Sequence, residues 1–420
     1  MAQFRFVHSA DLHLGTPLRG IGTIPPHLAE LFRTATLLAW DRLVQFCIDE
    51  QVDFLCLAGD IYDERDRNLT AQLAFQQGCE RLHEAQIPIY LIHGNHDPMD
   101  GKQAHLHWPS NLYTFSAEQV ESYPIIRHGE EIARIYGRSY PTSHVTENYS
   151  QSYTRSSSAF AIGLLHANVG NSSGHANYAP CSLQDLQNGE MDYWALGHIH
   201  KPQQLQDQLP TIIYAGNPQG RHWKEAGARG CYLIEVDGVQ VHPHFQPLQV
   251  IRWEEEVMDL QGVEGEQALL DQLFHIVEQV NEHTNSTPVL LRICLEGRTP
   301  LYDWLLAEEV RQEILERINH QLMGYGMKVW LASLQSMALP LQIPDIASQS
   351  LAADIMQILQ DWRADWVEHR STIRSLMDEM KDLRFWEQEG LLPSDDELQA
   401  TLEQLEPWLL QRLGEGGGKR

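Results

Sequence analysis

Five short segments dense in Asp, His and Asn stand at or just behind the ends of apolar runs: Asp11-Leu-His13, Gly59-Asp-Ile-Tyr-Asp63, Gly94-Asn-His-Asp97, Leu165-His-Ala-Asn168 and Gly197-His-Ile-His200. The runs themselves, Phe4–Ser9, Phe54–Ala58, Ile87–Ile92, Phe160–Leu165 and Tyr193–Leu196, have the length and composition of strands. The stretch from about Leu28 to Asp49 reads as a helix. Strands alternating with helical patterns, each strand ending in polar donors, predict an α/β core with parallel pairing, because such sheets gather ligands at their carboxyl ends.

Each segment alone says little, since a lone His after a strand is more often a hydrogen-bonded loop residue than a ligand. Together they offer imidazoles, carboxylates and an amide oxygen, a mixed set suited to manganese, iron or zinc and poorly suited to calcium or magnesium alone. The donors exceed what one ion needs. Two ions about 3.5–4 Å apart, sharing one carboxylate, would use them all, clamp a phosphoryl group and supply hydroxide. Asp60 suits the shared place, because a short Asp behind a Gly at a strand end can offer one oxygen to each ion.

The rest of the chain divides by pattern. Thr211–Tyr214, Cys231–Val236 and Val239–His242 predict an antiparallel end to a first domain, with Asp237-Gly238 as a hairpin turn. That domain spans residues 1–250. Residues 251–340 read helix (about 265–283), strand (Val289–Leu295), helix (about 302–322), strand (Lys328–Leu334), a small two-layer α/β domain. Residues 341–420 are helical, with apolar stripes through Leu351, Ile355, Ile358, Leu359, Trp362 and Trp366, and through Ile373, Leu376, Met380 and Leu383. A third helix is signalled by a capping box at Ser394–Glu397 ahead of Leu398, Leu402, Leu405 and Leu409. These helices suit either a self-contained subdomain or a partner-binding arm.

Charge cuts against autonomous nucleic-acid binding. With 57 acidic and 30 basic residues the formal charge is −27, and the first 250 residues alone carry 26 acidic and 16 basic side chains. Phosphate chemistry here needs local positive charge. Seventeen of 21 histidines precede residue 251, which points the chemistry at the first domain. The six cysteines are scattered without a Cys-x-x-Cys pair, so reduced, buried thiols are expected. No long apolar span or signal-like leader is present in the sequence, and a cytoplasmic location without membrane contact is expected.

The ordered segments resemble the calcineurin-like metallophosphoesterase superfamily. The words His8–Gly15 and Gly59–Asp63 are similar to its SbcD-type DNA-repair nuclease branch, and Leu165–Gly170, Gly174–Pro180 and Tyr214–His222 look closest to bacterial YhaO-like relatives. The resemblance implies a four-layer α/β/β/α domain, then a small α/β capping domain and a helical C-terminal region that joins an SbcC-like ATPase. It assigns Asp11, His13, Asp60 and His200 to one metal, and Asp60, Asn95, His166 and His198 to the second.

His96, beside a ligand without being one, is the expected group to contact the transferring phosphate and protonate the leaving oxygen, with Asp97 holding its ring. His8 and His93 lie inside strand runs and read as supports, and Asp63 as a group that orients His13 or a metal water. Arg19, Arg65, Arg67, Arg221 and Lys224 are candidates for phosphate-facing charge, with Arg221 and His222 favoured for substrate binding. The expected activity is a manganese-dependent DNA exonuclease or endonuclease subunit, acting with an SbcC-like ATPase or as a homodimer. Its rivals are a small-molecule or cyclic-nucleotide phosphodiesterase and a scaffold subunit with little activity.

Overall fold

The computed structural model describes residues 3–20, 28–63, 69–101, 104, 106–170, 178–284, 287–341 and 351–378, with positions 395, 398, 399, 401, 402 and 405. They form two compact units, Met1–Trp253 and Glu254–Arg420. The first unit runs β1 (Gln3–Ser9), α1 (Ala29–Asp49), β2 (Phe54–Ala58), α2 (Leu69–Glu84), β3 (Ile89–Ile92), β4 (Leu112–Thr114), β5 (Glu121–Arg127), β6 (Glu130–Gly137), β7 (Phe160–His166), α3 (Leu183–Asn188), β8 (Tyr193–Gly197), β9 (Gln203–Gln206), β10 (Thr211–Tyr214), β11 (Gly230–Asp237) and β12 (Gln240–Pro247).

Two six-stranded sheets result, ordered β12-β11-β1-β2-β3-β4 and β5-β6-β7-β8-β10-β9. Strands β1 to β4 are parallel in the first sheet, as are β6, β7, β8 and β10 in the second. Period-two alternation explains the layers. In β1 to β3, Phe4, Phe6, Phe54, Cys56, Tyr90 and Ile92 join a core shared with Ile162, Leu164, Tyr193 and Ala195 of the second sheet. Val7, Leu55, Leu57, Ile89 and Leu91 turn the other way, onto α1 and α2. The far face of the second sheet packs under α3 and the tyrosine-rich loops, through Tyr140, Tyr149, Tyr153 and Trp194. The fold is thus α/β/β/α.

Two sequence expectations need correction. Thr211–Tyr214 does not join β11 and β12; as β10 it lies in the second sheet, antiparallel to β9 on one side and parallel to β8 on the other, and β11 and β12 alone form the hairpin. The hairpin turn is Gly238-Val239, one residue beyond the expected pair, because Asp237 is already matched with Gln240 and Gly238 takes the positive φ of 65° at the first turn position.

The second unit contains a three-stranded sheet, β13-β14-β15, built from β13 (Arg252–Asp259), β14 (Val289–Thr299) and β15 (Val329–Pro340). It packs on α4 (Glu266–His283), α5 (Tyr302–Leu306) and α6 (Glu308–Gly324). The helix expected over about 302–322 is two helices, because Ala307 is extended at ψ 124°. In α7 (Leu351–Ala364) and α8 (Trp366–Asp378), Leu359 and Ile373 bury against Leu402, flanked by Ile355, Trp362, Trp366 and Leu405. These parts of the expected stripes cover one another, while Ile358 and Leu376 remain half exposed. Ser394, Glu397, Leu409, Met380 and Leu383 lie outside the described residues.

Helix α1 buries Phe32, Ala35, Thr36, Ala39, Trp40, Leu43, Val44 and Cys47, a continuous i, i+3, i+4 stripe. It meets α2 where Trp40 Nε1 donates to the Ala74 carbonyl at 3.1 Å, and a Cβ on Gly78 would lie 2.3 Å from that nitrogen. Gly78→Val should therefore lower the free energy of unfolding by about 1–3 kcal/mol, the cost of overpacking. Urea unfolding of the variant beside wild type measures it.

Candidate metal centre

All five polar segments reach one place because, within each sheet, the strands that carry them run parallel. The carboxyl ends of β1, β2 and β3 deliver Asp11 and His13, Asp60, and Asn95; the ends of β7 and β8 deliver His166, and His198 and His200. The loops after β1 and β2 are tied together, with Asp11 N donating to Gly59 O at 3.0 Å and His13 N to Asp60 O at 3.1 Å. Four of these residues hold positive φ: Asp11 52°, His13 42°, Asp60 53° and His198 99°. Such backbone costs about 1–3 kcal/mol per residue and persists where the surroundings enforce it, most often at functional sites.

Glycines make the room. A Cβ on Gly94 would stand 2.3 Å from Asp60 Oδ1, one on Gly59 2.5 Å from His166 Nδ1, and one on Gly197 2.9 Å from the same nitrogen. The Gly in three of the five segments is thus the space into which His166 and Asp60 fit.

The donors form two groups with Asp60 between them. On one side His13 Nε2 faces His200 Nε2 at 3.2 Å, and Asp60 Oδ2 lies 3.9 Å from His13 Nε2. On the other, His166 Nε2 lies 2.9 Å from Asn95 Oδ1 and 3.3 Å from the same Asp60 oxygen, and His198 Nδ1 lies 3.3 Å from Asn95 Oδ1. Donor atoms of Asp11, His13 and His200 fall within 4.8 Å of one another, as do those of Asp11, Asp60 and His166. The arrangement fits divalent ions. His166 Nδ1 lies 2.9 Å from the Ala58 carbonyl, so it carries the proton and a neutral ring would aim a lone pair at two oxygens. Only a proton or a cation relieves that.

The electrostatics agree. Burial alone would raise Asp60, but the charges of His166, His96 and His13 hold it well below the carboxylate range. Burial raises Asp11. His13 is lowered well below normal by burial and by the charges of Arg221 and His96, which leaves it neutral and able to ligate. Burial opposes a charged His166, yet the Asp60 and Asp11 carboxylates and the Ala58 carbonyl push it up to about 9.

Other expected residues fall as follows. Asp97 does not orient His96. Its oxygens accept from Ile61 N and Gly94 N, both at 2.9 Å, and its Oδ2 pairs with His93 Nδ1 at 3.1 Å, so it staples two loops together. The partner of His96 is Asp63, whose Oδ1 lies 3.3 Å from His96 Nδ1. His8 is a core support, bound to Tyr193 Oη and the Leu196 carbonyl, and burial lowers it to about 3. Arg19 is exposed beside Arg221, joined by an Arg19 N to Arg221 O bond of 2.8 Å. The Arg221 guanidinium is committed to Glu225 at 3.1 Å, and His222 Nε2 lies 3.5 Å from the same carboxylate, so both face a protein anion. Arg65 and Arg67 lie outside the described residues. Lys224 is exposed.

Glu225 belongs to none of the polar segments that the sequence marks. It is buried and takes His200 Nδ1 at 2.6 Å. Its signal was its place: nine residues past Gly216, in the turn that follows β10 and so ends beside the centre.

Gly94→Ala should abolish tight divalent-metal binding while the protein stays folded, since the added methyl displaces the Asp60 carboxylate; metal analysis after desalting, beside circular dichroism, checks both. With His166 pushed up to about 9 by its neighbours, divalent-metal uptake should displace a proton from it. Apparent affinity should therefore climb as pH rises toward about 9 and level above it, as read by calorimetric titration in buffers of differing ionisation enthalpy.

Residues 4–202 match the calcineurin-like phosphoesterase model, and residues 253–337 match the middle domain of the metallophosphoesterase YhaO. The chain is 36% identical over 333 residues to the uncharacterized metallophosphoesterase YhaO of Bacillus subtilis (strain 168), covering 79% of this chain and 81% of that one. Among solved structures it is similar to GAP50, the anchor in the inner membrane complex of Plasmodium, at 14% identity, TM-score 0.34, over 59% of this chain and 85% of that one. A dimetal phosphatase from Danio rerio aligns at 12% identity, TM-score 0.34, over 58% and 98%. The extent of the match to the Bacillus protein makes this chain a member of the calcineurin-like metallophosphoesterase family.

Proposed function

We propose that this chain is a manganese-dependent phosphodiesterase that cleaves DNA, working as the nuclease subunit beside an SbcC-like ATPase. The observation that carries the reading is the Asp60 carboxylate, with His13 on one flank and His166 on the other. The likeness of His8–Gly15 and Gly59–Asp63 to the SbcD-type branch supports DNA as the diester. When bound, a pair of divalent ions supplies positive charge to the phosphoryl oxygens and makes water acidic enough to attack at neutral pH. Asp11, His13, Asp60 and His200 would hold one of them, and Asp60, Asn95, His166 and His198 the other.

The remaining chemistry belongs to His96. Its side chain is 41% exposed and its ring stands 4.9 Å from that of His13, so it borders the centre and reaches solvent. Burial disfavours its charged form, but the Asp60 charge and the Asp63 hydrogen bond raise it above an ordinary histidine. With Nδ1 on Asp63, the Nε2 proton is the one available to the departing oxygen. Asp63, rather than Asp97, therefore aims the acid.

The formal charge of −27 implies that cations from elsewhere hold the duplex, and the reading assigns them to the ATPase partner or a second copy. Among the described residues no helix is long and apolar enough to cross a membrane.

Plasmid, linear duplex and a nitrophenyl phosphodiester should be compared with and without manganese. The proposal expects manganese-dependent cleavage of DNA; cleavage of the small diester alone marks a small-molecule phosphodiesterase, and cleavage of none marks a scaffold. His96→Ala should keep its manganese and lose turnover by about 10²-fold or more. Asp63→Ala should lose less, again with metal retained. Loss of metal from the His96 variant would show that His96 is a ligand.

A further inference from the structure

The imidazoles of the centre are backed unequally. His13 Nδ1 is buried without a hydrogen-bond partner among the described residues. His166 Nδ1 rests on a neutral acceptor, the Ala58 carbonyl, at 2.9 Å. His200 Nδ1 rests on a carboxylate, Glu225 Oε1, at 2.6 Å.

That carboxylate is expensive to keep buried, and the turn after β10 is organised around it. Glu225 Oε2 accepts from Asn217 Nδ2 at 2.9 Å and from Arg221 N at 2.7 Å, and Oε1 accepts from the Arg221 guanidinium at 3.1 Å. Arg229, also buried, donates to the backbone carbonyls of Glu225 and Ala226 at 3.0 and 2.8 Å, which fixes the turn from behind. A group needed only for packing would not require this many donors. A carboxylate on one ring nitrogen fixes the tautomer, aims the other nitrogen and raises its basicity toward a metal.

We propose that Glu225 is a positioning residue which, through His200, makes the Asp11–His13–His200 side the tighter of the two metal sites, so that the two sites fill in order. The proposal rests on the dinuclear reading above and adds to it a residue and an asymmetry. The side built from Asn95, His166 and His198 has a neutral amide and a ring backed by a carbonyl, so it fills second.

The test is a manganese titration of the full chain, following free manganese by electron paramagnetic resonance against a chelator of known affinity. Wild type should bind in two resolved steps. Glu225→Gln keeps the shape and an oxygen for His200 Nδ1 but removes the charge; it should weaken the tight step by about 10–100-fold, the usual effect of losing such a support, and leave the weak step within about twofold. Adding Glu225→Gln to a His200→Ala protein should leave the residual affinity unchanged, because the ring through which it acts is gone.

Equal weakening of both steps, further weakening in the His200→Ala background, or an unaltered tight step would overturn the proposal. If Glu225→Gln unfolds because Arg221 is left without its counter-charge, the double variant Arg221→Met with Glu225→Gln removes that charge, and the same readings apply. A wild-type chain that binds fewer than two ions overturns the dinuclear reading itself, which separates that failure from failure of the role given to Glu225.

Discussion

The polar strand ends of the first unit gather around one buried carboxylate. Asp60 Oδ1 accepts the His96 backbone N–H at 2.9 Å, while Oδ2 faces His13 and His166. A carboxylate without water is held ionised only by donors and positive charge, and the fold supplies both. Two sheets bring five strand ends together, three glycines clear the space, and four residues accept left-handed backbone so that their side chains turn inward. The inter-sheet aromatic core is what makes that backbone affordable. Phe6 stacks on Phe54 at 4.9 Å between the strands that lead to Asp11 and Asp60, and fully burying one such side chain contributes about 1.5–3 kcal/mol.

The surrounding supports are of unlike kinds, and the difference has chemical meaning. Asp97 joins the loop after β2 to the loop after β3 through two backbone N–H groups, so it acts on the shape of the site rather than on the proton. Asp63 faces the more exposed His96, where a proton has somewhere to go. Two aspartates near His96, Asp97 next to it in the chain and Asp63 next to it in space, thus do separate work, and the direction of each side chain decides which.

Much of this was legible in the residues. Strands β1, β2, β3, β7 and β8 are short apolar runs with clear ends, and the segments behind them carry the donors in order. Other strands were not legible. β5 contains Pro124, acceptable because it is an edge strand, and β13 carries Glu254, Glu255 and Glu256 in succession, so neither shows an apolar run. Adjacency of Asp97 to His96 in sequence does not mean contact: in the turn after β3 it is His93, four residues back, that the Asp97 carboxylate meets. Glu225 was hidden by its setting in a turn of ordinary polar residues; only the parallel placement of β10 beside β8 shows that this turn lies behind His200.

Asp60 is proposed to stand between two metal ions. Crystals of the full chain grown with manganese, with diffraction recorded on both sides of the manganese absorption edge, test it directly. Two anomalous peaks about 3.5–4 Å apart are expected, one against His13 and His200 and the other against Asn95, His166 and His198, with an Asp60 oxygen reaching each. A single peak, or two peaks with Asp60 bound to neither or only one, would contradict the account.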